Sequence, residues 1–447
     1  MNAIMQKLKG QYKGKNVLVV GLGLQGGGSG VVEFFAKLGA HVIVQDKKSE
    51  EILKPSIEKL KLYDITFHLG TDHNIDDFLK ANLIMIGPSV KWNLPGIIEA
   101  EKKGIPVEME MSFFAEHCPA KIIGITGTRG KSTTTNMIYK LLKDNGLNTY
   151  LAGNIPGQST ISLLEKIQQN DWVVMELASW PLAAFNRKNI SPHIAVFTNF
   201  YPDHLNYYAS MNEYAKDKKA IYLHQKKEDY LIINKSLESF VQHDVIKSTV
   251  HYFSKNDWKS EFEFIHGDHN KENAAAALKV AEVLQLNKQK SIRSIASFKG
   301  LPYRQEIVGK KENVVFVNDT TSTTPTSVLI ALDSFIKLGK IYLILGGTSK
   351  KLPYDEMMIH LSDVEKIILL GGSFTDEILK ELTNRYPEKV TQVFFNLNDA
   401  IEHAYTFAKI TGGYVIFSPG APSFAMFNNE FHRGDEYNKI VNQIIQK

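Results

Sequence analysis

The stretch Gly124–Thr135, with the sequence GITGTRGKSTTT, decides which kind of fold this chain can adopt. It follows the apolar run KIIGI and precedes a segment in which Met137, Ile138 and Leu141 recur at helical spacing. A glycine loop between a buried strand and a helix presents successive backbone N–H groups to an anion, and a lysine at its end neutralises the outer phosphates. The stretch therefore predicts a phosphate-binding loop in an α/β domain.

This loop favours ATP as its ligand. The strict Walker spacing would place a glycine at Ile125, so the match is incomplete, and a glycine-rich loop without nucleotide is the alternative. The strand–loop–helix setting favours the nucleotide, with the hydroxyl of Ser132 or Thr133 available to hold magnesium. The predicted ATP-binding residues of the loop are Gly127, Thr128, Gly130, Lys131, Ser132 and Thr133.

A second glycine cluster, GLGLQGGGSG at Gly21–Gly30, lies about a hundred residues earlier in the chain and follows the apolar run NVLVV. Gly21, Gly23 and Gly26 give the pattern G-x-G-x-x-G, and Asp46 ends the next apolar run about 20 residues later. This arrangement predicts a diphosphate at a helix N-terminus and an acid near a ribose hydroxyl. On these residues alone a dinucleotide is favoured; a sugar nucleotide such as a UDP-sugar offers the same features, and a tight turn without ligand is a further alternative.

The rest of the chain repeats the alternation of strand and helix. A length of 447 residues is too great for one core, and breaks in the pattern fall near Cys118-Pro119 and near the stretch FKGLPYRQEIV. The sequence therefore predicts three α/β domains in series, with boundaries at 1–118, 119–302 and 303–447.

Composition limits the classes of function. A net charge of +4, spread along the chain, gives no footprint for nucleic acid. No apolar run approaches the roughly 20 residues that span a bilayer, so we expect no membrane insertion. The N-terminus has no apolar signal-peptide core, and the single cysteine, Cys118, excludes an internal disulfide; both observations favour the cytoplasm.

The variant T-G-T-x-G-K-S-T at Thr126–Thr133 resembles the ATP loop of the Mur ligase superfamily, which adds amino acids to a UDP-linked muramyl precursor of peptidoglycan. Further motifs of that family follow in the family's order and cover essentially the whole chain: AGNIPG, VVMELASW, TNFYPDHL, EYAKDKKAIY, GDHNKENAAAA, GLPYRQEIV, NDTTSTTP, LILGGTSK and FSPGAPSFAMFNNEFHRG. The short N-terminal domain and the GLPYR segment are most similar to the branch that adds D-glutamate to UDP-N-acetylmuramoyl-L-alanine.

The resemblance implies an ATP-dependent amide ligase that works through an acyl phosphate and needs ATP and Mg²⁺. It implies a Rossmann-like UDP-binding domain, a central P-loop ATPase-type domain and a Rossmann-like C-terminal domain that binds the incoming amino acid. The partners would be small molecules, namely the UDP-linked acceptor, glutamate and ATP, and we expect a monomer.

The family motifs assign roles to individual residues. The implied catalytic residues are Lys131, Glu176, His204 and Lys218, and the implied metal ligands are Ser132, Glu176, His204 and Lys218 as a carbamate. Further nucleotide contacts would be Asn270, Asn273, Arg304 and Asp319. The UDP-linked substrate would contact Gly21, Gly23, Leu24, Gln25, Gly26, Asp46 and Asn154, and the amino acid would contact Thr323, Lys350 and Ser423.

Without the family motifs, several of these residues have a simpler interpretation. A glutamate after a strand, such as Glu176, is often a solvated loop end, and the cluster KDKK around Lys218 is typical of a solvated helix face. Tyr222, four residues after Lys218, sets the family's register and selects Lys218 over the neighbouring lysines Lys216 and Lys219.

The sequence departs from the family pattern around the amino-acid pocket. Thr321 stands where a lysine is usual, and Ala178, Trp180 and Pro181 also differ; near the C-terminus the usual phenylalanine position is Glu430, with Phe431 beside it. L-glutamate or another amino acid is therefore an alternative substrate. A nucleotide-dependent oxidoreductase using the first glycine cluster, and a non-catalytic binding protein of the same fold, are the alternatives from other classes.

Overall fold

The computed structural model describes residues 2–24, 26–155, 158–203, 207–423 and 426–446. The chain forms two compact units. The first comprises Met1–Lys259 and Glu272–Ile295, and the second comprises Ser260–Lys271 and Ala296–Lys447. The first unit contains two parallel β-sheets and the second contains one mixed sheet. The three-domain boundaries at residues 118 and 302 stay a prediction.

The first sheet is parallel and has the strand order β3-β2-β1-β4-β5. Its strands are β1 (Asn16–Val20), β2 (His41–Asp46), β3 (Ile65–Leu69), β4 (Leu83–Ile86) and β5 (Val107–Glu108). The accompanying helices are α1 (Ala3–Tyr12), α2 (Gly27–Lys37), α3 (Glu50–Ile57), α4 (Ile75–Lys80), α5 (Pro95–Lys102) and α6 (Glu110–His117). Strand order reverses beside β1, and ligands bind at such a switch point in open α/β sheets.

The second sheet is also parallel, with the order β11-β10-β9-β6-β8-β7. Its strands are β6 (Lys121–Thr126), β7 (Thr149–Gly153), β8 (Trp172–Glu176), β9 (Ile194–Phe197), β10 (Tyr230–Asn234) and β11 (Thr249–Phe253). The helices in and after this part of the chain are α7 (Lys131–Asp144), α8 (Ser179–Lys188), α9 (Met211–Leu223), α10 (Glu238–Val241), α11 (Asp268–Val283) and α12 (Lys288–Ala296). Strand β6 lies between β8 and β9, so their carboxyl ends flank the loop that follows β6.

The third sheet has the order β12-β13-β17-β14-β15-β16, and only the β12–β13 pair is antiparallel. Its strands are β12 (Glu306–Lys311), β13 (Val314–Asn318), β14 (Ile341–Leu345), β15 (Lys366–Leu370), β16 (Val390–Phe394) and β17 (Gly413–Phe417). Its helices are α13 (Pro325–Phe335), α14 (Asp355–His360), α15 (Ser373–Arg385), α16 (Leu397–Thr411) and α17 (Glu430–Gln446). Three loops meet at the carboxyl ends of β13, β14 and β17.

The central strands are buried on both faces, which is why they appear in the sequence as unbroken apolar runs. Every residue of β4, β9 and β14 is buried. The helices of the doubly covered sheets supply the remaining core, for example Phe34 and Phe35 of α2 and Leu141 and Leu142 of α7. Such rigid sheets fix the positions of the loops at their carboxyl ends.

Within the described ranges, no helix has both the length and the apolar character to cross a bilayer.

Candidate active site

The loop between β6 and α7 is held open by the segment that follows β9. The backbone N–H of Thr128 donates to the carbonyl of Asn199 at 2.9 Å, and the N–H of Arg129 donates to Asn199 Oδ1 at 2.8 Å. Asn199 Nδ2 in turn donates to the Arg129 carbonyl at 3.1 Å. The first amides of α7 have no partner within the helix because nothing precedes them by one turn. They and the positive end of the helix dipole form an anion-binding site.

Asn273 lies against this loop, as an ATP-binding residue would. Its Oδ1 accepts a hydrogen bond from Thr134 Oγ1 at 3.1 Å. Gly130, the N-cap of α7, has φ +78°, and a Cβ there would lie 2.4 Å from Asn273 Oδ1. Only glycine combines this backbone conformation with so close an approach. Asn270 lies one turn earlier on α11, where its Nδ2 donates to the His266 carbonyl at 2.7 Å.

Two lysines converge on the carbonyl of Gly127. Lys131 Nζ donates to it at 3.1 Å and to the carbonyl of Thr128 at 3.0 Å, while Lys218 Nζ donates to Gly127 at 2.8 Å and to Thr126 Oγ1 at 3.3 Å. The sequence predicted Lys131 as the cation of the loop, and the structure brings Lys218 to the same oxygen.

Lys218 is only 1% exposed, unlike the solvated lysine that its cluster would suggest. Burial lowers its pKa well below the ordinary value, and the charge of Lys131 lowers it further, whereas Asp203 and Glu176 act in the opposite direction. Lys219 beside it instead binds Asp244, at 3.0 Å.

Glu176 ends β8, directly beside Ile125 of β6, and is 6% exposed. Asn154 follows β7, whose last residue, Gly153, pairs with Glu176, and its side chain is exposed. Ser132 and Thr133 lie in the first turn of α7, so carboxylate and hydroxyl oxygens flank the loop. His204 lies outside the described residues; within them, no group of three or more His, Cys, Asp or Glu forms a metal cage. Magnesium usually takes one or two carboxylates and completes its shell with water and phosphate oxygens, so this donor set fits it.

The Asp46 side chain points toward the first glycine loop and accepts a hydrogen bond from it. Asp46 Oδ2 accepts from the N–H of Gly23 at 3.2 Å, and Oδ1 accepts from the N–H of Lys48 at 2.9 Å. Leu24 is exposed at the tip, and Gln25 lies outside the described residues. A cavity of about 230 Å³ adjoins the loop, and its lining includes Gly26, Ser29, Gly30, Ser159 and Ser162.

In the second unit, Asp319 is buried at the carboxyl end of β13. Its Oδ2 accepts from Ser322 Oγ at 2.5 Å and Ser418 Oγ at 2.7 Å, and its Oδ1 accepts from the N–H of Gln305 at 3.1 Å. Burial raises the pKa of Asp319 to about 6, although these hydrogen bonds and the charge of Arg304 lower it. The structure thus brings together two of the predicted nucleotide contacts, Arg304 and Asp319.

The three residues predicted to contact the amino acid lie on the loops after β13, β14 and β17. Lys350 Nζ donates to Thr323 Oγ1 at 3.2 Å. Ser423 is 3% exposed, and its hydroxyl has no hydrogen-bond partner among the described residues. Thr321, which stands in place of the usual lysine, donates its hydroxyl to the Tyr303 carbonyl at 2.9 Å.

Sequence reasoning missed two residues that shape these loops. Asn199 lies in the family motif TNFYPDHL, in which only His204 was given a predicted role. Arg433 is 1% exposed and ties two loops together: it donates to Thr320 Oγ1 at 2.8 Å, to the Thr320 carbonyl at 2.7 Å and to the Ala421 carbonyl at 3.0 Å. A pattern of apolar residues does not predict a charged residue that is buried against carbonyl oxygens.

These features define an α/β protein with an anion-binding loop at the carboxyl edge of its second sheet. Comparison with family models matches residues 15–108 to the Mur ligase MurD-like N-terminal domain and residues 125–289 to the Mur ligase middle domain. A UDP-N-acetylmuramoylalanine--D-glutamate ligase from Acetivibrio thermocellus is 33% identical, with 99% of this chain and 100% of that protein covered. A protein of the same name from Roseiflexus sp. is also 33% identical, with 96% of this chain and 99% of that protein covered. The chain belongs to the Mur ligase family, on its MurD branch.

A solved structure of MurF ligase from Thermotoga maritima in complex with ADP has the same fold, with a TM-score of 0.60 at 16% identity over 99% of this chain and 100% of that one. The predicted three-domain α/β fold class is confirmed, and so is the prediction of an ATP-dependent ligase. None of these relatives favours an oxidoreductase.

Proposed function

We propose that this chain joins D-glutamate to UDP-N-acetylmuramoyl-L-alanine, converting ATP to ADP and phosphate. The relatives named above, which match nearly the whole chain, support the choice of substrates. The observation that carries the reaction type is the convergence of Lys131 and Lys218 on Gly127, beside the buried Glu176.

Amide formation from a carboxylate requires a better leaving group than oxide. ATP supplies it by phosphorylating the carboxylate to an acyl phosphate, and the amine then attacks the acyl carbon and displaces inorganic phosphate. The protein's part is chiefly positioning and charge stabilisation. The first amides of α7 and the Lys131 ammonium would neutralise the phosphates, and Asn273 would fix the loop against the nucleotide. Magnesium would be held by Ser132 or Thr133 and by Glu176, where it would offset phosphate charge.

Lys218 and His204 would serve a second magnesium ion. Burial lowers the pKa of Lys218 and so favours the neutral amine, which is the form that adds carbon dioxide. The resulting carbamate would supply the oxygen ligands that an ammonium cannot. The roles of Asn270, Arg304 and Asp319 as nucleotide contacts stay predictions from the family motifs.

The first glycine loop, with Asp46 and Asn154, would hold the UDP-linked acceptor. The incoming glutamate would be bound by Lys350, Thr323 and Ser423, since a cation and hydroxyls suit a carboxylate. The Ser423 hydroxyl, buried without a partner among the described residues, supports this assignment because such a group costs stability unless a ligand satisfies it. We further propose a monomer that acts in the cytoplasm, where ATP is available.

The test is phosphate release with ATP, magnesium, UDP-N-acetylmuramoyl-L-alanine and either D- or L-glutamate. Release that depends on D-glutamate supports the proposal, and release with L-glutamate alone would replace it with the alternative enantiomer. Lys131→Ala should abolish release because it removes the ammonium that this proposal places on the outer phosphates; Arg129, the other cation of the loop, occupies a different position in it. Near-normal activity in that variant would show that the loop is wrongly assigned, and nicotinamide binding without phosphate release would favour the oxidoreductase.

A further inference from the structure

The first glycine cluster contains more glycines than a phosphate loop needs. Gly27 and Gly30 follow the G-x-G-x-x-G pattern and lie one turn apart on the same face of α2. A Cβ at Gly30 would lie 2.2 Å from Ser159 Cβ, and a Cβ at Gly27 would lie 3.2 Å from Glu110 Oε2. These two positions therefore let α2 pack directly on Glu110 and Ser159.

Glu110 connects the two sheets of the first unit at this point. It lies in the first turn of α6, at the end of the first sheet. Its Oε1 accepts hydrogen bonds from Ser159 Oγ at 2.7 Å and from the N–H of Ile161 at 3.0 Å, both in the connection after β7 of the second sheet. Hydrogen bonds to a carboxylate are stronger than those between neutral groups. The Glu110 side chain thus holds Ser159 and Ile161 against the first turn of α2.

Both elements held by Glu110 belong to the proposed acceptor site. The first turn of α2 follows the glycine loop in the chain, and Ser159 and Ile161 follow Asn154 after β7. We propose that Glu110 is a positioning residue for the UDP-linked acceptor: it keeps the first turn of α2 and the residues Ser159 and Ile161 at the spacing that one acceptor molecule requires. This inference rests on the proposed function, and it explains why Gly27 and Gly30 carry no side chain.

The test is the kinetics and acceptor affinity of the full-length Glu110→Ala variant. We expect the KM for UDP-N-acetylmuramoyl-L-alanine to rise by about tenfold, with kcat and the KM for ATP within about twofold of wild type, because only the acceptor bridges the two segments. Glu110→Gln retains the accepting oxygen and should recover most of the loss. Ser159→Ala removes one of the two hydrogen bonds and should raise the same KM by a smaller factor.

Glu99→Ala is the matched control, because Glu99 is a carboxylate of the same region whose partner, Lys102, lies on its own helix at 2.7 Å. An unchanged acceptor KM in both Glu110→Ala and Ser159→Ala, or an equal rise in the KM for ATP, overturns the inference. Direct acceptor binding by calorimetry separates the two claims. Wild-type protein that binds the acceptor no better than Glu110→Ala overturns the positioning role alone, and wild-type protein that does not bind it overturns the proposed function as well.

Discussion

The burial of Lys218 is not predicted by the residues around it in the sequence. It lies in the run KDKK, where local pattern predicts a solvated helix face, and the family motif alone distinguishes it from Lys216 and Lys219. In the structure Lys216 is exposed and Lys218 is buried on Gly127. The burial of Lys218 depends on how α9 packs on β6, and a local sequence pattern does not predict that contact.

Removing the Lys218 amine should abolish catalysis, and an added carboxylic acid should restore part of it. We expect Lys218→Ala to lose about a hundredfold or more in turnover, as when a residue that supports a metal is deleted. A short-chain carboxylic acid such as acetate or propionate should restore part of the phosphate release by filling the position of the carbamate. Lys216→Ala is the control and should stay active, because Lys216 lies two residues before Lys218 on the same helix and is exposed. Absence of rescue at any acid concentration would argue against the carbamate.

Asp319 predicts a pH dependence of stability with a definite sign. Its pKa is raised by burial to about 6 from an ordinary value of 3.8. Between these values the folded protein holds a proton that the unfolded chain has released, so the contribution of this group to stability is full below pH 4 and falls as the pH rises through 6. Between pH 4 and 7 the free energy of unfolding of wild type should therefore fall by up to about 3 kcal/mol through this group, and that of Asp319→Asn should not show this fall.

The measurement is the difference in melting temperature between wild type and Asp319→Asn at several pH values from 4.5 to 8. The difference should change in favour of the asparagine variant as the pH rises and become constant above about pH 7. A difference that does not vary with pH would mean that the carboxyl titrates normally in the folded protein.

At the scale of elements, the sequence predicts central strands well and edge strands poorly. Strand β1 is buried along nearly its whole length and appears as the apolar run NVLVV. The edge strand β3 is partly exposed at every position, and its alternation of apolar and polar residues, ITFHL, is only five residues long. The edge strand β12 likewise has only exposed and half-buried positions, and β11 and β16 each have a single buried residue, at the end of the strand. Their pairing is fixed by a neighbouring strand far away in sequence, which a local pattern cannot supply.

Helix α7 offers a test of the phosphate loop as an element, because it has a glycine with positive φ at each end. Gly130 and Gly146 have φ of +78° and +88°, yet a Cβ at Gly146 would meet nothing within 4 Å, whereas one at Gly130 would lie 2.4 Å from Asn273 Oδ1. Both alanine variants pay the backbone strain of about 1–2 kcal/mol. Only Gly130→Ala displaces Asn273, so it alone should raise the KM for ATP, by tenfold or more. Equal KM values in the two variants would contradict the role assigned to the loop.

At the scale of the whole molecule, the order of the motifs assigns predicted roles to individual residues, and the tertiary contacts show which other residues support them. Lys131, Glu176 and Lys218 could be named from the sequence because each lies in a family motif. Glu110 lies in none of these motifs, and Arg433 lies in the motif FSPGAPSFAMFNNEFHRG without a predicted role. Their partners are Ser159 for Glu110, and Thr320 and the Ala421 carbonyl for Arg433. Supporting residues are defined by what they touch, and only the folded chain shows this.

The junction between the two sheets of the first unit leads to the last prediction. Lys188, at the end of α8, binds Glu108 at 2.7 Å and Glu116 at 2.8 Å, both on elements of the first sheet. Glu108 is 3% exposed, and burial raises its pKa. Removing Lys188 would leave a buried carboxylate without its cation, which typically costs about 3–5 kcal/mol. Lys188→Ala should therefore lower the melting temperature by an amount on the order of 5 °C or more.

Lys102→Ala provides the comparison, because its pair with Glu99 is exposed and lies within one helix, where such a pair contributes at most about 0.5 kcal/mol. The double variant Lys188→Ala/Glu108→Gln should recover part of the loss, since the buried charge is then gone. If the unpaired carboxylate is the cause, Lys188→Ala should also become relatively more stable as the pH falls and Glu108 takes up a proton. A loss no larger than that of Lys102→Ala, or one that Glu108→Gln fails to reduce, would mean that apolar packing rather than this ion cluster joins the two sheets.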